Sequence, residues 1–80
     1  MENKIAIVSI MVYSAEAVEK VNATLHAYRN DILCRQGIPI KDRGVSVICI
    51  IMDAPITEIN SLSGKLGMID GVTSKVLTTK

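Results

Sequence analysis

Two stretches of this chain are apolar at nearly every position. Residues 5–12 read Ile-Ala-Ile-Val-Ser-Ile-Met-Val, and residues 45–52 read Val-Ser-Val-Ile-Cys-Ile-Ile-Met. Runs without in/out alternation are the pattern of strands covered on both faces. Between and after them the period changes. Val18, Val21, Leu25 and Tyr28 recur at spacings of 3, 4 and 3 and form one helical stripe. Ile59, Leu62 and Leu66 form a second.

The punctuation completes the elements. Strand one covers about residues 3–13. Ser14 caps helix one, Glu16 favours its positive end, and Asn30-Asp31 ends it near residue 29. Strand two is short and mixed, about 31–37. Gly37, Pro39 and Lys41-Asp42-Arg43-Gly44 mark a hairpin loop. Strand three covers about 44–53. Pro55 suits the first turn of helix two, which runs to about residue 66 with Gly67 as its cap. Gly71 turns the chain into strand four, about 72–79.

The order βαββαβ describes an α+β, ferredoxin-like sandwich in one domain over residues 1–80. The apolar strands one and three belong in the centre. Strand two carries Asp31, Arg35 and Gln36, and strand four carries Lys75 as an edge guard. The expected antiparallel sheet order is 4-1-3-2. Right-handed crossovers put both helices on one face.

That arrangement leaves an apolar face uncovered. On strand one the choice is Ile5, Ile7, Ser9, Met11 or Ala6, Val8, Ile10, Val12. On strand three it is Val45, Val47, Cys49, Ile51 or Ser46, Ile48, Ile50, Met52. Either choice strands several large side chains, and contiguous apolar patches are rare on monomers. At about 25 cal/mol per Å², four such side chains contribute several kcal/mol on association. The expected partner is the chain itself, as a dimer or tetramer.

Composition narrows the function classes. The 80 residues are 49% hydrophobic with a net charge of +1, and mean hydropathy is +0.35. No run reaches the ~18–20 apolar residues of a membrane helix. Glu2 and Lys4 precede the first run and no small-residue cleavage site follows it, so a cytoplasmic protein without an export signal is expected. Balanced charge offers no footprint for direct nucleic-acid binding. With neither Trp nor Phe, base-stacking platforms are missing too. Two cysteines in such a chain suggest free thiols in a reducing compartment.

Several short stretches carry a family likeness. They are Leu25-His26-x-Tyr28, Arg35-x-Gly37-Ile38-Pro39, Asp53-Ala54-Pro55, Ser63-Gly64-Lys65-Leu66-Gly67 and Gly71-Val72. Together, in this order, the chain resembles the small stand-alone iron-only hydrogenase system regulators. These are ACT-like domains related in fold to the ligand-binding C-terminal domain of the nickel-responsive repressor. The resemblance implies assembly through the sheets and a regulatory rather than catalytic role. In ACT-like domains the loop after strand one often forms effector sites at subunit interfaces, which implies a ligand site at Tyr13 and Ser14. The repressor's nickel site does not carry over. It needs several histidines, and this chain has one. Its DNA-binding segment has no counterpart in these residues, so any control of transcription would run through a partner.

Other candidates each have a simpler account. His26 falls off the apolar stripe, as a metal ligand or pH sensor, or as a solvated surface histidine. With a hairpin centred near residues 41–42, Cys34 and Cys49 sit opposite each other. There they form a soft-metal or redox pair, or two buried inert thiols. Zinc needs about four ligands, and no CxxC pair supplies them. Arg35, Lys41 and Arg43 flank Gly37 and Gly44 and could grip a carboxylate or phosphate, or simply solvate the hairpin. Ser63-Gly64-Lys65 lacks the phosphate-loop pattern. No paired carboxylates and no nucleophile–histidine set supports an enzyme. No cofactor can be named. The leading expectation is a ligand-sensing regulatory module. A metal or redox sensor and a purely structural oligomerisation domain are the alternatives.

Overall fold

The computed structural model of the chain describes residues 2–80. Its elements are β1 (Asn3–Val12), α1 (Ala15–Ala27), β2 (Ile32–Ile40), β3 (Val45–Pro55), α2 (Ile56–Gly67) and β4 (Val72–Thr78). Every strand pair is antiparallel, and the sheet order is β2-β3-β1-β4. This is the expected 4-1-3-2 read from the other edge, in a ferredoxin-like α+β fold.

The helices choose the sheet face. Ala6, Val8, Ile10 and Val12 of β1 are buried, with Ile48, Ile50, Met52 and Ala54 of β3. They form one core with Ala17, Val21 and Leu25 of α1 and Ile59, Leu62 and Leu66 of α2. Tyr28 closes the gap between the helices. Its hydroxyl shares a 2.8 Å hydrogen bond with Ser61 Oγ, and Lys65 Nζ stands 5.3 Å from its ring centroid. The other parity, Ile5, Ile7, Ser9 and Met11, faces away from both helices.

Ser14 is the cap of α1, its Oγ accepting from the Ala17 N–H at 3.1 Å. Ser14→Ala deletes that bond and is expected to cost about 1 kcal/mol, read as a lower midpoint in urea at unchanged slope.

Boundaries differ where turn chemistry rather than hydrophobicity decides. Helix α1 stops at Ala27, and a short 3-10 turn over Arg29–Asp31 takes up the rest of the expected length. Strand β2 runs on to Ile40, so Gly37 and Pro39 lie in the strand and not in the loop. An edge strand tolerates a proline whose missing N–H is not needed by the ladder. The loop contracts to a 3-10 turn over Lys41–Arg43, closed by Gly44 at φ 66°. Pro55 is the last residue of β3 and the cap of α2 rather than part of its first turn. Gly67 stays helical, with Met68 as the cap, and among the described residues only Gly44 and Gly71 have positive φ. Gly71 makes the expected turn into β4, where its φ of 80° suits a residue without Cβ.

Candidate functional site

Two features of the surface stand out: a bare sheet face and a cleft at its end. The face is built in rungs, because residues directly opposite one another project to the same side. One rung is Leu77–Ile7–Ile51–Cys34, the next Lys75–Ser9–Cys49–Gln36, the next Thr73–Met11–Val47–Ile38. Ile38 is 65% exposed and Leu77 68%, and Ile5, Ile7, Met11 and Ile40 are also exposed. The central-strand residues Val47, Cys49 and Ile51 are half-buried by their neighbours.

The cleft, of about 310 Å³, lies between the start of α1 and the β2–β3 hairpin. Tyr13, Ser14, Ala15, Pro39, Lys41 and Ser46 are among its lining residues. Tyr13 is held by its N–H to Gly71 O at 2.8 Å. Its hydroxyl lies 3.7 Å from Met11 Sδ, so the same side chain borders the cleft and touches the bare face. Pro39 and Ser46 were not legible as neighbours of Tyr13, because the length of β2 sets which hairpin residues reach α1.

The other expected candidates are scattered. Arg35 points to the helix side of the sheet and hydrogen-bonds Asn22 Oδ1 on α1. With Gly37 it lines a separate groove of about 230 Å³. Arg43 borders the bare face beside Met11 and Tyr13. The three basic residues therefore form no common anion grip. His26 is exposed in the last turn of α1.

The cysteine pairing needs correction. The hairpin turns between Asp42 and Arg43, one residue further along than expected, and the ladder runs unshifted from Ile40–Val45 to set Cys34 opposite Ile51 and Gln36 opposite Cys49. A bulge that adds one residue to β2 comes only beyond this pair, between Cys34 and Ile32. The two residues are diagonal on one face rather than opposed, with Cα atoms about 7–8 Å apart. That is beyond the usual Cα separation for a disulfide. Both are free, and Cys34 is exposed rather than buried. Among the described residues no three His, Cys, Asp or Glu side chains converge as metal ligands.

These features define the class, a ferredoxin-like sandwich with one sheet face bare. Residues 4–76 match the family described as "TM1266-like: Iron-only hydrogenase system regulator, putative". The structure is similar to that of the uncharacterized protein TM1266 from Thermotoga maritima, with 35% identity and a TM-score of 0.94. The match covers 99% of this chain and 100% of that one. No curated protein matches the chain. The chain belongs to the TM1266-like iron-only hydrogenase system regulator family. No helix among the described residues is long and apolar enough to cross a membrane.

Proposed function

We propose that the protein is a small, non-catalytic, ACT-like regulatory module that works as a homo-oligomer and responds to a small effector. The observation that carries this reading is Tyr13, which borders the cleft and contacts Met11 on the bare face. A ligand in the cleft that favours one Tyr13 position changes what the face offers a second copy. The response is a shift between assembled states, and its size is set by the difference in effector affinity between them. An amino acid or a nucleotide fits the mixture of groups there: apolar walls, Ser14, Ser46 and the Lys41 cation. Free thiols at Cys34 and Cys49 suit a reducing cytoplasm.

Thermal unfolding against a panel of amino acids, nucleotides and divalent metals tests the reading. One compound is expected to raise Tm in a concentration-dependent way, by about 2.7 kcal/mol of stability at a hundredfold excess over Kd. Tyr13→Ala is expected to abolish the shift. No stabilisation by any compound would sink effector sensing and leave a purely structural oligomerisation domain.

A further inference from the structure

The bare face has an internal pattern that its apolarity alone does not require. Its middle rung, Lys75–Ser9–Cys49–Gln36, is polar from edge to edge, and the rungs on either side are mainly apolar. Among the described residues, Lys75 is the only charged side chain on these three rungs, and the next rung, beyond Ile7–Ile51, sets Asp53 beside Ile5. Ser9 and Cys49 sit on the two central strands, so the middle of the polar rung is the middle of the face.

We propose that this face is closed by a second copy of the chain, polar rung against polar rung, with Ser9 and Cys49 beside the two-fold axis. The proposal rests on the homo-oligomer reading above and specifies its interface. Two observations choose this occupant. The first is size. Four strands about 4.8 Å apart and some nine residues of about 3.3 Å span roughly 19 by 30 Å, or roughly 600 Å² in projection. With side-chain relief this approaches the ~800 Å² per partner of a stable complex.

The second is self-complementarity. A two-fold axis along the strands, midway between β1 and β3, lays β1 on the partner's β3 and β4 on the partner's β2. Apolar rungs then meet apolar rungs. Lys75 lies over the partner's Gln36, whose carbonyl oxygen can accept from the ammonium. An axis along the polar rung instead sets Lys75 directly on its own copy, which like-charge repulsion opposes, whereas the chosen axis lays Asp53, at the end of the face, on the partner's Ile5. Sheets packed at about −30° preserve these contacts best near the centre. Helices α1 and α2 stay on the outside.

The test uses the full chain with one thiol at a time. Cys34→Ser leaves Cys49, one half strand spacing from the axis. Cys49→Ser leaves Cys34, whose copy lies roughly 14 Å away in the plane of the sheet. Each protein is treated with a short bis-maleimide while sedimentation velocity reports the oligomer. The expected result is a dimer in which Cys49 is cross-linked or protected from single-ended adducts, while Cys34 takes single-ended adducts freely. A dimer whose Cys49 reacts freely overturns the interface and leaves the homo-oligomer reading standing. Cross-linking at Cys34 alone would assign the contact to the β2 edge. A monomer at every concentration overturns both.

Charge variants test the orientation. Gln36→Glu is expected to lower the dimer Kd about 3- to 10-fold in low salt, by pairing with the partner's Lys75. Gln36→Lys is expected to raise it. The K75E/Q36K protein exchanges the charges and is expected to dimerise like Q36E. A Gln36→Glu protein that dimerises no better than the parent, or more weakly, rejects this axis.

Discussion

Val47→Asp is expected to convert the proposed dimer into folded monomers. Val47 lies on β3 between Met11 and Ile38 on an apolar rung of the bare face. In a single chain that side is open to water, so a carboxylate there keeps its hydration. The cost to the fold is a strand-propensity change of up to about 1 kcal/mol. Once a second sheet covers the rung, the same carboxylate must be stripped of water against the apolar rung opposite. An uncompensated buried charge costs about 3–5 kcal/mol, and a two-fold interface contains the substitution twice. Dissociation should therefore become easier by a factor of about a thousand or more. Sedimentation velocity should show half the parent mass, with far-UV circular dichroism unchanged. A Val47→Asp protein that keeps the parent mass would remove the bare face from the interface.

Leu62→Ala should have the largest effect on the fold itself. Leu62 is 0% exposed on α2 and packs in the core between both helices and the helix-side face of the sheet. Truncation removes its transfer energy and leaves a void that close-packed neighbours fill only partly. The expected loss is about 2–5 kcal/mol. A chain of this size has a total stability of about 4–12 kcal/mol, so a large fraction disappears. At about 4–8 °C per kcal/mol, Tm should fall by ten degrees or more. Leu77→Ala is the contrast. Leu77 is 68% exposed on the bare face, and in the Val47→Asp monomer its truncation should shift stability by no more than about 0.5 kcal/mol. Equal losses at the two positions would mean that the core has been misplaced.

Much of the architecture could be read from pattern because the physics there is local or follows from covering area. The two apolar runs could only be central strands, and Lys75 marks an edge. The stripes Val18–Val21–Leu25 and Ile59–Leu62–Leu66 could only face a sheet. From these, strand order and a bare face follow without coordinates. The candidate site was legible in part. Tyr13 and Ser14 do line a cleft, and Ser14 is also the cap it was expected to be. Arg35 and Gly37 line a neighbouring groove, because β2 is longer than its polarity suggested.

By itself, then, the sequence determined that this protein is a two-layer sandwich with a surplus of apolar sheet surface. Hydrophobic periodicity and total area are summed along the chain and do not depend on how strands are aligned. Three things were decided only in the tertiary structure. The choice between the two parities went to Ala6, Val8, Ile10 and Val12, because this set packs against both helices. The turn over Lys41–Arg43 fixed the β2–β3 register, and a hairpin centre one residue further along moves the partner of Cys34 two positions away from Cys49. The polar rung, finally, draws one residue from each strand. Lys75, Ser9, Cys49 and Gln36 are dispersed along the chain, and only strand pairing brings them into a single line.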